Sequence, residues 1–241
     1  MDIIAFRLHT AHSVAVPPGC ALFVRSGAAA WQTRSSDVLL DPNHCLLVPR
    51  DSAPTALTAC GGPASITIFH EPRIDFGAKP SARIIDSSLF AQHFCLTLLP
   101  GGACARPRVA RLIERVRSAR EKPATLSAHS PSYGRIMQRY VNNEIAQPTR
   151  LDDVARAAAL SPFTASRVFH RELGLPLRIY NRRLRLRTAL ARIADQHALS
   201  DVALELGFFD HAHFSKTFRT EFDMTPSEWR DYVLAAFNAA A

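Results

Sequence analysis

Two short segments of the chain carry side chains that could read nucleic-acid bases. In the first, the outward residues are spaced i, i+3, i+4 and i+7, which places them on one side of an α-helix. They are Phe163, Ser166, Arg167 and His170. Guanidinium, hydroxyl and imidazole groups can hydrogen-bond base edges in the DNA major groove. The spacing therefore indicates a helix with a base-contacting face.

The second segment has the same character. Its outward residues are His211, Ala212, Ser215 and Lys216. Three phenylalanines, Phe214, Phe218 and Phe222, are spaced four apart and form the opposite face, which we expect to point inward. Because Ala212 offers only a methyl group, it can pack against a thymine methyl but cannot hydrogen-bond a base edge. We expect this segment to contribute fewer base contacts and more positioning on the DNA backbone.

A repeat explains why two such segments exist. Residues 151–155 recur at 199–203, an offset of 48, whereas 168–171 recur at 217–220, an offset of 49. A turn can absorb the one additional residue, so each copy is predicted to be a helix, a short turn and a second helix. In a basic chain, such a unit typically places its second helix in the major groove of DNA.

Capping signals mark the ends of these predicted helices. Thr149, Ser161 and Asp210 are expected to cap three helix N-termini. Pro162 suits the first position of a helix, and Gly174 suits the position just after the end of one. The apolar faces of the two leading helices are Leu151, Val154, Ala155 and Ala158, and Leu199, Val202, Ala203 and Leu206.

A third helix is predicted between the two units. Residues 177–194 contain neither Gly nor Pro and are rich in helix-forming residues, so they should connect the units rigidly. The segment carries Arg182, Arg183, Arg185 and Arg187. We expect some of these arginines, Arg182 and Arg183 first, to reach DNA phosphates. The others remain either solvated or packed along their aliphatic stems.

These residues resemble the AraC/XylS family of bacterial transcriptional regulators. The likeness rests on Gly-Phe-Phe-Asp-His-Ala-His-Phe-Ser-Lys-Thr-Phe at 207–218, on Thr-Pro-Ser-Glu-Trp-Arg at 225–230 and on the linker helix, and it covers residues 131–231. Asp223 stands where the family commonly has Gly, a substitution that left-handed backbone geometry tolerates. The resemblance implies binding to double-stranded promoter DNA, and it leaves open RNA polymerase contact, a homodimer and a small-molecule effector.

The first 105 residues have a different pattern. Short apolar or alternating runs are separated by turn residues, which is typical of a β-sandwich or barrel. The predicted strands are 3–8, 13–16, 21–25, 29–33, 38–40, 45–48, 55–58 and 66–69. The order is similar to the cupin-like sensor domains that precede this family's DNA-binding domain. The histidines His9, His12, His44 and His70 lack the spacing of a cupin metal site, so we expect no metal and no cofactor.

All five cysteines, at positions 20, 45, 60, 95 and 104, lie in this half. None forms a Cys-x-x-Cys pair, which argues against structural zinc. We expect them to be reduced and mostly buried as small apolar residues. A thiol-based sensor remains an alternative, because Cys60 and Cys104 lie in predicted loops.

Charge and missing motifs exclude other classes of protein. The net charge is +8, of which residues 1–105 contribute nothing, 106–129 contribute +5 and 130–241 contribute +3. Such an excess suits a phosphate-bearing partner. The chain has no nucleophile elbow, phosphate-binding loop or dinucleotide-binding fingerprint, so we do not expect an enzyme. It also has no long apolar run and no secretion signal, which predicts a cytoplasmic protein without a membrane partner.

These observations predict an α+β chain with two domains. Residues 1–105 form a cupin-like β-barrel or sandwich that acts as a sensor, and residues 131–233 form an all-α domain with two helix-turn-helix units. Between them, 106–130 comprise an amphipathic helix (106–122) and a Pro/Ser-bearing linker, across which few contacts are expected. The helix packs either on its own domain or in a dimer. The competing function is a small-molecule-binding cupin-like protein whose helical half serves in association.

Overall fold

The computed structural model describes residues 2–10, 12–32, 37–53, 55–71, 73–98, 105–120, 132–147 and 149–238. The strands within these ranges are β1 (Asp2–Leu8), β2 (Ser13–Val16), β3 (Cys20–Ser26), β4 (Ala29–Gln32), β5 (Asp37–Leu40), β6 (His44–Val48), β7 (Thr55–Ala59), β8 (Ala64–His70) and β9 (Ser81–Ile84). The helices are α1 (Ser87–Leu98), α2 (Ala105–Ser118), α3 (Tyr133–Asn143), α4 (Leu151–Ala157), α5 (Pro162–Leu173), α6 (Leu177–Ala194), α7 (Leu199–Glu205), α8 (His211–Phe222) and α9 (Pro226–Asn238).

The strands form two antiparallel sheets that face each other. One has the order β1-β8-β3-β6-β9 and the other has the order β2-β7-β4-β5. Apolar side chains from both sheets, including Leu22, Ile66, Trp31 and Leu57, form the core between them. The predicted α+β class is thereby confirmed, with the two-sheet unit in the N-terminal half and the all-helical unit in the C-terminal half.

The central strands of the larger sheet are buried on both faces. Every residue of β6 is buried, as are the first five residues of β3. One face lies in the sandwich core, whereas the other, with Phe23 and Phe69, packs against helices in a second cluster. Strands covered on both faces lose the alternation of apolar and polar residues. This burial explains why their sequences are almost continuously apolar.

Each of the eight predicted strands has a counterpart, but two elements within residues 1–105 were not predicted. The strand β9 is four residues long and contains Ser, Ala and Arg, so it lacks the usual strand composition; it forms through its pairing with β6 at the sheet edge. The helix α1 is largely apolar and shows no clear amphipathic face. It is packed on several sides, by α2, α6, α8 and α9 and by Phe23 of β3, on which its His93 stacks.

The amphipathic helix predicted at 106–122 is present as α2, Ala105–Ser118. Its apolar residues Val109, Leu112, Ile113 and Val116 are buried in the same cluster as Leu89 and Phe90 of α1. Of the two alternatives for this helix, packing within its own chain is therefore the observed one. The predicted linker at 123–131 lies outside the described residues.

The expectation that few contacts join the two halves is wrong. Asp41, at the turn between β5 and β6, is fully buried and accepts hydrogen bonds from Tyr180 Oη of α6 and from Gln138 Nε2 and Asn142 Nδ2 of α3, the last two at 3.0 Å. Burial alone would raise the pKa of Asp41, but the His44 imidazole and the hydrogen bonds from Gln138 and Tyr180 hold this pKa well below its usual range. A charged group thus anchors the helical half to the sandwich.

Arg187 of α6 makes the reciprocal contact. Its buried guanidinium donates to Pro42 O at 2.7 Å and to Ile85 O at 2.9 Å. Arg187 is one of four closely spaced arginines in this segment of the sequence, and only the tertiary structure determines which of them faces the sandwich. No helix in the described part of the chain combines the length and the apolar character needed to cross a membrane.

Candidate DNA-binding surface

The first helix-turn-helix unit comprises α4 and α5. The Ser161 Oγ accepts a hydrogen bond from the backbone amide of Thr164 at 3.3 Å. Pro162 is the first residue of α5, and Gly174, with φ of 74°, follows its last residue. These predicted caps are confirmed. The predicted cap at Thr149 is wrong, because Arg150 occupies the N-cap position of α4 and makes no side-chain cap. Thr149 lies one residue too early to reach the first amides, and its hydroxyl donates to Gln147 O instead.

The second unit, α7 and α8, repeats this geometry. The Asp210 carboxylate accepts a hydrogen bond from the backbone amide of His213 at 2.6 Å, which confirms the predicted cap. The turn of each unit contains a left-handed residue at the matching position, Ala159 with φ of 53° and Gly207 with φ of 68°. After this residue the second turn is one residue longer, and it accommodates Phe209 with 92% of its surface exposed. The single-residue insertion thus lies in the turn, as the repeat offset predicts.

The candidate base-facing side of α5 is open. Phe163 is 72% exposed, and Ser166, Arg167 and His170 are exposed as well. The Arg167 guanidinium carbon lies 5.7 Å from the centre of the Phe163 ring, within the range of a cation–π contact. The opposite face, with Ala165, Val168 and Phe169, is buried.

The matching side of α8 is open to a similar degree. His211, Ala212 and Lys216 are exposed and Ser215 is half-buried. Phe214 and Phe218 are fully buried and Phe222 is half-buried, which agrees with the predicted inward face. A chain of ring contacts, tilted between Phe208 and Phe214 and edge-to-face along Phe214–Phe218–Phe222, fixes the orientation of α8 on the helical core.

Between the two units lies a cleft of about 550 Å³ with α6 as its floor. Ser166 of α5 lines one side, whereas His213 and Thr217 of α8 line the other. Arg178 and Arg182 of α6 also line this cleft. The two recognition helices therefore flank one groove that contains cationic side chains from the helix joining them.

The linker-helix arginines have distinct partners. Arg182 Nη2 and Arg183 Nε each lie 3.3 Å from a carboxylate oxygen of Glu221, at the end of α8. Arg185 donates to Gly207 O at 3.1 Å and to Gln147 O, so it ties the second turn to the chain before α4. Arg182 and Arg183 are thus positioned beside the cleft but held by an acidic residue.

Sequence reasoning missed several residues of this surface. Arg178, His213 and Thr217 line the cleft although none was among the candidates. A signal for Arg178 was available, since Arg178, Arg182 and Arg185 follow i, i+4 and i+7 spacing on one face of the helix. The positions of His213 and Thr217 could not be inferred, because they depend on the angle at which α8 crosses α6.

The described histidines and cysteines of the N-terminal half play no part in this surface, and Cys104 lies outside the described residues. His44 Nδ1 lies 2.9 Å from Asp41 Oδ1 inside the protein. Cys20 and Cys45 are buried, whereas Cys60 and Cys95 are half-buried. Across the ranges that the structure describes, no three His, Cys, Asp or Glu side chains are grouped so that they could hold a metal ion.

Comparisons with known proteins match this region. A family model described as a helix-turn-helix domain matches residues 154–232. The regulatory protein SoxS of Salmonella typhimurium is 33% identical over 92 residues, which are 38% of this chain and 86% of that protein. The transcriptional activator RhaS of Klebsiella pneumoniae is 36% identical over 93 residues, but the match spans only 33% of its length. A solved AraC-type regulator structure from Chromobacterium violaceum is 27% identical, covers 42% of this chain and 91% of that one, and has a TM-score of 0.40.

Proposed function

We propose, for a chain that belongs to the AraC/XylS family of transcriptional regulators, that its two recognition helices read separate major-groove segments of promoter DNA. The family membership makes the protein a DNA-binding regulator with helix-turn-helix units. Our proposal concerns the residues and the geometry of that binding. It assigns base contacts chiefly to Phe163, Ser166, Arg167 and His170 of α5, and positioning to His211, Ala212, Ser215 and Lys216 of α8.

One observation carries the proposal. Both recognition helices present an open face that carries polar side chains while their opposite apolar faces are largely buried, and the continuous helix α6 lies between them. A helix of 18 residues is about 27 Å long, so it can hold two helices near the 34 Å that separates successive major-groove segments on one DNA face. Arg178 in the cleft then meets the phosphates between those segments, and Arg182 can join it when it is released from Glu221.

The N-terminal half is proposed to control this activity. The division into residues 1–105, 106–130 and 131–233 follows the change from sheets to helices, and Asp41 and Arg187 connect the first part to the last. A change in the sandwich can reach α3 and α6 through these contacts. The same proposal includes three partners: RNA polymerase, a second copy of the chain and a small-molecule effector. It also includes that the protein acts in the cytoplasm and is not an enzyme.

The test is a selection from random duplex DNA with the full-length protein. We expect enrichment of two short blocks, with centres about 10 base pairs apart, since two helices on one DNA face are separated by one helical turn. The block read by α5 should be the more sharply defined. Failure to enrich any sequence, or enrichment of a single block, would contradict the proposed two-helix reading.

A further inference from the structure

A second cavity lies between the regulatory helices and the second helix-turn-helix unit. Residues of α1 and α2 form one side of it, and the end of α8 together with α9 forms the other. Its volume is about 530 Å³, which lies within the range of small-molecule sites in proteins, roughly 300–1,000 Å³. It is separate from the cleft between the recognition helices and from the interior of the sandwich.

One wall of this cavity is strongly cationic. Arg108, Arg111 and Arg115 of α2 line it at i, i+3 and i+7 spacing. Arg115 Nη2 donates to Ser88 Oγ at 3.3 Å, whereas Arg108 and Arg111 have no carboxylate within ion-pair distance among the described residues. Three guanidinium groups on one helix face repel each other, and an anion between them relieves that repulsion.

The acidic residues on the opposite wall do not neutralise the positive charge of the three arginines. Glu221 lines the cavity, but its carboxylate already pairs with Arg182 and Arg183 and accepts a hydrogen bond from Ser87. Asp223 is exposed and lies in the left-handed position that ends α8. The cationic side is therefore the one that offers donors to a ligand, with guanidinium geometry that suits a planar or tetrahedral anion.

Besides Ser87, Ser88 and Gln92, the remaining lining is largely apolar or aromatic. Cys95 and Leu96 of α1, Leu112 of α2, Phe222 of α8 and Tyr232 of α9 contribute to it. Phe222 is half-buried and 42% of the Tyr232 surface is exposed, so both rings can cover an organic ligand. An inorganic ion would occupy only a small part of this volume and would contact none of these surfaces.

We propose that this cavity binds a small organic anion, with its acidic group between Arg108 and Arg111 and its apolar body against Phe222, Leu96 and Tyr232. Because α8 supplies part of the wall, occupancy shifts the second recognition helix and alters DNA affinity. This coupling rests on the DNA-binding function proposed above, whereas the binding of the anion does not. The site is thus an effector site outside the sandwich.

The first test uses 8-anilinonaphthalene-1-sulfonate, a fluorescent aromatic anion, titrated into the full-length protein. We expect saturable binding that is about tenfold or more weaker in the Arg108→Gln/Arg111→Gln variant, since charge-assisted hydrogen bonds supply most of the attraction. The control Arg7→Gln/Lys79→Gln removes the same charge from exposed residues outside the cavity. Wild-type affinity for the dye in the Arg108→Gln/Arg111→Gln variant would overturn the site. So would a loss of the same size in this variant and in the control.

Competition separates an organic ligand from a simple ion. Sodium sulfate and sodium chloride are added at equal ionic strength to the complex of the protein with the dye. We expect both salts to weaken binding to the same modest extent through screening. Selective displacement of the dye by sulfate would show a site for inorganic anions and overturn the role of the apolar wall.

Two cysteines provide a readout that needs no arginine variant. Cys95 lines the cavity, whereas Cys60, which is also half-buried, lines a different groove. Alkylation by N-ethylmaleimide, followed by mass spectrometry, should slow at Cys95 and not at Cys60 when the dye is bound. Unchanged modification of Cys95, or equal slowing at both cysteines, would contradict the assignment.

The coupling is tested on the DNA that the full-length protein selects. The dye should change affinity for this DNA in the wild type and in the Arg7→Gln/Lys79→Gln control, but not at the same concentration in the Arg108→Gln/Arg111→Gln variant. Dye binding without any change in DNA affinity would overturn the coupling. If the protein selects no DNA, the proposed DNA-reading geometry fails, while the dye and cysteine results still decide the binding site.

Discussion

At the scale of single residues, Arg167 distinguishes base reading from general attraction to DNA. It is exposed at the open face of α5, and its contact with the Phe163 ring limits its orientations. Arg167→Ala should weaken binding to the selected sequence by about 1–3 kcal/mol, the value of a bidentate guanine contact. Binding to random duplex should change much less. Competition binding at one salt concentration measures both, and equal losses would make Arg167 a phosphate contact.

The two turns offer a matched pair of substitutions. Ala159 and Gly207 occupy equivalent left-handed positions, but only glycine adopts this conformation without strain. Ala159→Gly should therefore stabilise the protein by up to about 1 kcal/mol, once the higher entropy of the unfolded glycine is counted. Gly207→Ala should destabilise it, because the new Cβ would lie 2.4 Å from Ala146 O. Denaturant unfolding measures both, and shifts of the same sign would contradict the prediction.

At the scale of elements, the contact between α6 and α8 determines how much positive charge faces the DNA. Glu221 of α8 pairs with Arg182 and Arg183 of α6; Arg182 lines the cleft, and Glu221 lines the cavity beside α2. The carboxylate both fixes the crossing of the two helices and neutralises arginines that could reach phosphates. Recognition and packing therefore share the same side chains.

Glu221→Gln should release these arginines. We expect tighter binding to random duplex DNA, with a salt dependence steeper by about 0.9 in log–log slope for each new phosphate contact. Glu114→Gln is the matched control, because it breaks the exposed pair with Arg117 on α2 and removes the same charge. Binding measured from low to moderate salt gives the slopes. Equal slopes in the two variants would show that Arg182 and Arg183 do not reach the DNA.

The packing of α1 on β3 introduces a dependence of stability on pH. His93 is fully buried, and its ring stacks on Phe23 with centroids 4.4 Å apart. Burial, together with the nearby charge of Arg25, holds the pKa of His93 well below its usual value. The unfolded chain therefore takes up a proton at this residue below about pH 6.5, whereas the folded protein does not.

This proton uptake should lower the free energy of unfolding as the pH falls, by up to about 1.4 kcal/mol per pH unit from this residue. His93→Phe keeps an aromatic ring in the stack and removes the titrating group. Urea unfolding at pH 7.5 and pH 5.5 should show a smaller loss of stability in the variant than in the wild type. A loss of the same size in both would mean that other groups account for the acid sensitivity.

At the scale of the whole molecule, the buried polar contacts make the two halves depend on each other. Tyr180 and Arg187, both on α6, have their hydrogen-bond partners in the sandwich, and Leu186 and Leu190 share a core cluster with Phe23 of β3. Separating the halves would leave a buried charge and several apolar side chains facing water. The helix that spaces the recognition helices is thus also the surface that meets the regulatory half.

A fragment of residues 130–241 should consequently fold with a weakened α6. We expect amides in 180–191 to exchange hydrogen faster in the fragment than in the full chain, because their packing against the sandwich is lost. Amides of α5, which packs on α3 and α4, serve as the internal reference. Hydrogen exchange followed by mass spectrometry compares the two proteins. Equal exchange of α6 in both would mean that the interface contributes nothing to its stability.

The sequence by itself determined the local parts of this protein. These parts are the repeat, the caps at Ser161 and Asp210, and the apolar faces of the leading helices. Each depends on neighbours within one or two helical turns, so it can be inferred without the tertiary structure. The same holds for the strands bounded by turn residues. Outward positions on α5 and α8 follow from the inward ones, because an α-helix has a known period.

Tertiary structure decided what depends on how these parts meet. Four arginines in six residues of α6 look alike in the sequence, yet Arg182 and Arg183 pair with Glu221, Arg185 joins a turn, and Arg187 is buried against the sandwich. Helix crossing angles and the burial of Asp41 set those differences. The cavity beside α2 likewise exists only because α1, α2, α8 and α9 converge, and no spacing along the chain encodes such convergence.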